Sequence, residues 1–171
     1  MNEFSYILDV KDIGDAGRSF AFSANPDECA ALVHRLGLQN LFSLSVSGHI
    51  RPLSDGRTML VQGSFSAEVV QSCVVTLDPV ESRLEDTFEI RYVSNANLAA
   101  ATEYDVEVSP EDTDEEPFDG TSIDLGAVAV EFLSLALDPY PRKPGAEFAF
   151  DTAPEQDLGP FAGLAKLRNK V

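Results

Sequence analysis

Apolar and polar residues alternate over a long stretch in the middle of the chain, from Phe42 to Tyr92. A period of two is typical of a β-strand with one buried face. Turn signals at residues 52–56 and at Asp78-Pro79 divide the stretch into three strands, which we expect to form an antiparallel meander. Gly63, in the middle of the second strand, is predicted to mark a bulge or a bend. The buried face of the first strand is predicted to comprise Phe42, Leu44, Val46 and Ile50.

Two helices are predicted on either side of the meander, because apolar residues there recur at helical spacing. The first has Asn25 as its N-cap, Pro26 at its first position and Gly37 as its stop. The second is capped by Asp124, is apolar on more than one side, and ends before Asp138-Pro139.

The remaining segments complete the predicted architecture. Two early strands are expected at residues 4–10 and 18–23. The carboxylate-rich stretch near residues 95–120 is expected to be a solvated, mobile loop, with an edge strand over residues 102–108 as the alternative. Residues 151–171 are interpreted as a tether followed by a short amphipathic helix. The predicted fold class is therefore α+β: a single domain over residues 1–150 with an antiparallel sheet, barrel-like in one interpretation, two main helices and a short C-terminal helix.

The charge of the chain indicates what kind of partner to expect. The 171 residues carry a net charge of −17, with 29 acidic and 12 basic residues. A free-standing nucleic-acid binder needs lysine and arginine to displace counterions from phosphates. This chain is expected to repel RNA over most of its surface, so a basic protein is the favoured kind of partner. The alternative is that the acidity only keeps the protein soluble.

The two cysteines, Cys29 and Cys73, are too few for a disulfide scaffold. The first residues lack the basic and apolar regions of a signal peptide, and no stretch approaches the length of a membrane span. We therefore expect a protein of the reducing cytoplasm that does not enter a membrane. Cys73 is expected to be a packed thiol near a strand end rather than a nucleophile.

Candidate catalytic and metal sites are sparse. His34 and His49 have no partner in a recognisable catalytic motif, and the two cysteines and two histidines lack zinc-finger spacing. The run from Asp112 begins like a calcium-binding EF-hand loop but has Pro117 where the loop requires glycine. The residues therefore predict no catalytic residue, no cofactor and no metal.

Three segments carry a resemblance to a known family. The first is residues 71–80, with Cys73 and Asp78-Pro79 near a strand end. The second is residues 123–125, leading through the apolar helix to Asp138. The third is residues 160–167, Pro-Phe-Ala-Gly-Leu-Ala-Lys-Leu. Their order and spacing over residues 46–168 resemble the YceD family, the large ribosomal RNA subunit accumulation proteins, and the version reading Asp-Pro-Tyr-Pro-Arg-Lys-Pro-Gly is similar to its alphaproteobacterial branch.

The resemblance implies a non-enzymatic role in accumulation of the large-subunit ribosomal RNA and in ribosome assembly. Family members are commonly encoded beside the gene for large-subunit ribosomal protein L32, so L32 is the first candidate partner. Thr76 replaces the second cysteine of the family's Cys-x-x-Cys, so zinc is not expected here. The residues assigned to partner binding are Cys73, Asp138, Pro139, Tyr140, Pro141, Arg142, Lys143, Phe161, Leu164, Lys166, Leu167 and Arg168.

Two other functions stay open at this point. An enzyme or small-molecule binder would use the interior of a barrel-like sheet and predicts a deep pocket with convergent polar side chains. A direct rRNA-binding module would use the cations of the C-terminal part and predicts an affinity that falls steeply with salt.

Overall fold

The computed structural model describes residues 3–94 and 115–148, which fold as α+β and confirm the predicted class. The strands are β1 (Ile7–Asp9), β2 (Arg18–Ser23), β3 (Asn40–Pro52), β4 (Thr58–Ser72), β5 (Pro79–Ser94), β6 (Glu115–Phe118) and β7 (Ser122–Asp124). The helices are α1 (Pro26–Leu36) and α2 (Leu125–Ala136), with a short 3-10 helix at Val10–Asp12.

The predicted meander is confirmed: β3, β4 and β5 follow one another along the chain and pair antiparallel. They form the centre of a five-stranded sheet in the order β2-β3-β4-β5-β6, while β1 and β7 form a separate two-stranded sheet. Two features differ from the prediction. The large sheet is open rather than barrel-like, because its edge strands β2 and β6 do not pair with each other. It is also mixed, because β6 runs parallel to β5.

The strand β6 falls within the stretch predicted as an acidic loop, of which residues 95–114 lie outside the described residues. It pairs only with Arg91–Ser94 at the end of β5. Among the described residues, the longer portion of β5 from Pro79 to Ile90 therefore has β4 on one side and no strand on its other side.

A β-bulge in β3 shifts its buried face. Leu41 pairs with Val69 and Ser43 with Glu68, so Phe42 has no partner in β4. Leu41 is buried at 3% exposure, and Phe42 is 60% exposed. The prediction that Phe42 belongs to the buried face is wrong, because the extra residue reverses the alternation between Leu41 and Leu44.

Gly63 does not lie at a bulge, since the pairing of β4 with both neighbours runs through it without a shift. It pairs with Gly48 on one side and Phe88 on the other. A Cβ atom on Gly63 would come within 2.5 Å of the Phe88 ring, and one on Gly48 within 2.6 Å of the Phe20 ring. The paired glycines therefore make room for the two aromatic rings on the core face.

Local signals set both helices as predicted. Asn25 and Glu28 form a capping box at the start of α1, and Gly37 ends the helix in a left-handed conformation. Asp124 caps α2 by accepting from Gly126 and Ala127, and it also accepts from the backbone N–H of Tyr6 at 2.9 Å. This third bond ties the N-terminal segment to α2. Only Ile7–Asp9 of the predicted first strand is extended, because Asp9 then caps the 3-10 helix.

The core lies on one side of the large sheet. Both helices and the two-stranded sheet contribute to a single cluster with the inward residues of β2 to β5, including Leu32, Leu133 and Ile123. Successive side chains of a strand point to opposite faces. The intervening side chains of these strands are therefore on the other face, where most are exposed or half-buried.

Candidate partner-binding surfaces

Two of the three segments that carry the family resemblance meet in the fold. The loop between β4 and β5 (residues 73–78) lies against the segment that follows α2 (residues 138–143). The N–H of Val74 donates to the carbonyl of Pro141 at 2.9 Å. Just before the loop, the side chain of Gln71 donates to the carbonyl of Asp138 at 2.9 Å. The ammonium of Lys143 pairs with the Asp78 carboxylate at 3.1 Å.

The loop is also closed on itself. The N–H of Cys73 donates to the carbonyl of Asp78 at 2.8 Å, and the N–H of Leu77 donates to the carbonyl of Cys73 at 2.9 Å. Leu77 has a φ of 62°, which is rare for a residue with a side chain. The Gln39 amide reaches the loop from β3's N-terminal side, donating to the Leu77 carbonyl at 3.4 Å.

Cys73 is at the centre of this arrangement and has no exposed surface. Its sulfur accepts from the N–H groups of Lys143 at 3.4 Å and Thr76 at 3.5 Å. Donation from Lys143 and then from Thr76 lowers the pKa of the Cys73 thiol to about 6, although burial opposes the change. The side chain thus holds the two segments together, and partners can meet only the residues around it.

Several of the residues around Cys73 have large apolar side chains that are exposed to solvent. Leu77 is 75% exposed, Tyr140 is 72% exposed and Val74 is also exposed. Pro139 and Arg142 are exposed beside them, whereas Pro141 is buried. We call Val74, Leu77, Pro139, Tyr140 and Arg142 the junction surface. Asp138 shapes it by accepting from the N–H of Tyr140 at 2.9 Å.

A second candidate surface lies on the face of the large sheet opposite the core. It is an open groove of about 720 Å³ that crosses β2 to β5. The register places Ser45 beside Ser66, and Ser47 beside Ser64. We call this concavity the serine groove; its small polar lining residues are Ser23, Ser45, Ser47, Ser64, Ser66 and Thr87.

Beside the serine rows, on β4 and β5, carboxylates outnumber cations. Glu85 lines the groove on the face of the serines, whereas Asp86, which pairs with the core residue Phe65, belongs to the other face of β5. Glu68 on β4 and Glu89 on β5 lie on the same face as the serines, one beyond each end of the serine rows. Arg83 is the nearby cation, and it already pairs with Glu85 at 2.6 Å.

The groove is bounded at both ends by different features. Beyond the row of His49, Gln62 and Glu89 lie Arg51 and Arg91, with Leu60 between them. At the other end, a second concavity of about 340 Å³ is lined by Phe42, Glu68 and Glu81, among others. The groove therefore has a cationic end and an acidic, partly apolar end.

The register of β2 and β3 also creates a contact that the sequence did not reveal. Ser19 Oγ lies 3.2 Å from Nδ1 of His49. A hydroxyl beside an imidazole is the first contact of a nucleophile–base arrangement, which also needs a third group to orient the base. The described contacts of His49 include no such group. His34 is exposed on α1.

The other predicted site residues fall outside the described residues: Phe161, Leu164, Lys166, Leu167 and Arg168. So does the start of the EF-hand-like run, residues 112–114. Within residues 3–94 and 115–148, no group of three histidine, cysteine or acidic side chains is placed to hold a metal ion. No helix in this part of the chain has the length and apolar character needed to cross a membrane.

The fold and its surfaces define an acidic α+β protein whose candidate sites are open surfaces on a sheet and at a loop junction. A family model matches residues 61–168, more than half of the chain, and its description is large ribosomal RNA subunit accumulation protein YceD. The chain belongs to this family, as the three sequence segments predicted. Membership links it to the accumulation of large-subunit ribosomal RNA. Neither the curated proteins nor the solved structures contain a match to the chain.

Proposed function

We propose that the protein supports large-subunit rRNA accumulation as a non-enzymatic cytoplasmic factor that binds a basic large-subunit ribosomal protein, with L32 as the first candidate. The observation that carries the proposal is the net charge of −17 in a member of an rRNA-accumulation family. A polyanion repels this field and a cationic ribosomal protein is attracted by it.

The junction surface supports a protein partner over RNA. Its exposed Leu77 and Tyr140 side chains offer apolar area whose burial stabilises a protein interface. Of its two neighbouring cations, Lys143 is already paired with Asp78. Direct phosphate binding there would therefore have to compete with an existing ion pair.

The test is recovery of partners by the tagged full-length chain at moderate salt, followed by calorimetry with purified L32. We expect a ribosomal protein or an assembly intermediate to be recovered, and L32 to bind. Recovery of neither would contradict the proposal.

A pair of variants locates the contact. Leu77→Asn with Tyr140→Ser removes the apolar side chains of the junction surface, and asparagine tolerates the left-handed backbone at position 77. If both side chains are central to the interface, L32 binding should weaken about thirtyfold, because truncation of a central anchor residue costs more than about 1 kcal/mol and about 1.4 kcal/mol is a factor of ten. Ile7→Thr is the control, since Ile7 is also a large exposed apolar residue but belongs to the separate two-stranded sheet. Equal weakening by the control would argue against the junction surface.

A further inference from the structure

The polar face of the large sheet carries the larger of the two concavities described above, and its chemistry is unlike that of the junction surface. We propose that the serine groove binds an extended, lysine- and arginine-rich segment of the partner protein. The basic character of the partner rests on the proposed function, whereas the location and the form of the ligand follow from the groove itself.

The shape of the groove comes from small side chains in register. One row across four strands reads Ala21, Ser47, Ser64 and Thr87, and the next begins Ser23, Ser45 and Ser66. The intervening residues Val46 and Phe65 are buried on the core face. Neighbouring strands lie about 4.8 Å apart, so the floor across four strands is roughly 14 Å wide, which is enough for an extended chain. A large side chain in either row would fill it.

The hydroxyl groups match an extended peptide. Serine and threonine both donate and accept hydrogen bonds, so they can pair with the N–H and the carbonyl groups of a peptide backbone. Ser23 and Ser45 form a hydrogen bond to each other at 3.0 Å at the β2 side of the groove. The described part of the chain gives the Oγ atoms of Ser47, Ser64 and Ser66 no hydrogen bond to protein.

The charges select a cationic ligand. Glu85 lines the groove, and Glu68 and Glu89 flank it on the same face of β4 and β5. Arg83, the cation beside them, already pairs with Glu85, and Arg51 and Arg91 lie further away, beyond the row of Glu89. Lysine and arginine side chains of a bound segment would meet these carboxylates at the β4–β5 side. A phosphate backbone would meet repulsion from the same groups.

The test uses the full chain and a short peptide of alternating lysine and serine, with a peptide of alternating glutamate and serine as the reference probe. We expect the lysine peptide to bind and the glutamate peptide not to bind. The lysine peptide should shift the amide resonances of the strands that line the groove. Binding of both peptides alike, or shifts confined to other surfaces, would overturn the inference.

Two sets of variants separate charge from shape. Glu68→Gln, Glu85→Gln and Glu89→Gln together neutralise the rim, and Ser45→Tyr with Ser47→Tyr fills the floor at exposed strand positions. Each set should weaken binding of the lysine peptide about tenfold at low salt. The rim set removes three exposed charge pairs, each of which contributes modestly, and the floor set places tyrosine rings in the space of the bound chain.

Asp12→Asn, Asp15→Asn and Glu147→Gln form the control, because they remove three exposed carboxylates elsewhere. Equal weakening by the control, or tight binding to the filled groove, would refute a specific site. Unchanged circular dichroism verifies folding.

Purified L32 distinguishes this inference from the proposed function. If L32 binds wild type and both groove variants with the same affinity, the groove inference fails and the proposed function stands. If L32 does not bind while the lysine peptide still occupies the groove, the candidate partner is wrong and the groove stands as a site for cationic segments.

Discussion

At the scale of single residues, Cys73 combines complete burial with an environment that favours its charged form. Its position near a strand end could be predicted, because Asp78-Pro79 marks the turn. The donor that affects its pKa most could not, since the N–H of Lys143 comes from a segment seventy residues further along the chain. Only the packing of the loop against that segment brings the two together.

A pH dependence of stability follows from Cys73. The folded pKa is lowered from 9.0 to about 6, so the folded state favours the thiolate. The resulting stabilisation is fully present above pH 9 and is lost as the pH falls through about 6. The difference in free energy of unfolding between wild type and Cys73→Ala should therefore widen as the pH is raised across that window.

Chemical denaturation at several pH values measures the difference. Titration of the Cys73 Cβ resonance gives an independent value of the pKa. A constant difference between wild type and variant across the window would contradict a stabilised thiolate.

At the scale of secondary structure elements, the helix caps could be predicted from neighbouring residues, whereas the register of the strands could not. The caps Asn25 and Asp124 were predictable because the cap and the backbone groups it satisfies are within three residues. The bulge at Phe42 depends on how β3 pairs with a strand much later in the chain. Simple alternation therefore assigned Phe42 to the wrong face and overlooked Leu41.

The bulge makes an opposite prediction for two adjacent residues. Leu41→Ala should lower the free energy of unfolding by about 2–5 kcal/mol, because it leaves a cavity in the core. Phe42→Ala should change it by less than about 0.5 kcal/mol, because most of that ring is exposed. Urea denaturation of both variants checks this. Similar losses at both positions would mean that the register of β3 is not the one described.

At the scale of the whole molecule, composition predicts a basic partner and does not predict whether the sheet closes. The net charge of −17 and the three separated segments were both visible in the sequence, and the segments led to the correct family. The parallel strand β6 could not be foreseen, because its sequence Glu115–Phe118 has no strand-like alternation and lies among carboxylates. The serine groove was visible only as a polar face, since a groove requires the rows of three strand pairs to align.

The charge of the whole molecule predicts how association depends on salt. Raising the ionic strength from about 20 mM to about 200 mM should slow the association of the purified protein with L32 by roughly tenfold or more, and change dissociation less. Stopped-flow kinetics at several salt concentrations measures both rates. Tight, salt-sensitive capture of protein-free rRNA by the purified chain would instead support the direct rRNA-binding alternative.

The portion of β5 from Pro79 to Ile90 pairs with β4 on one side and, among the described residues, with no strand on the other, which has a consequence for handling the protein. An unpaired edge is a template on which strands of other molecules can stack, and repulsion between charged side chains opposes such stacking. Glu81, Glu85 and Glu89 recur along this edge. Near the isoelectric point of about 4.2 that repulsion fades, so acidic precipitation would favour aggregates built edge to edge.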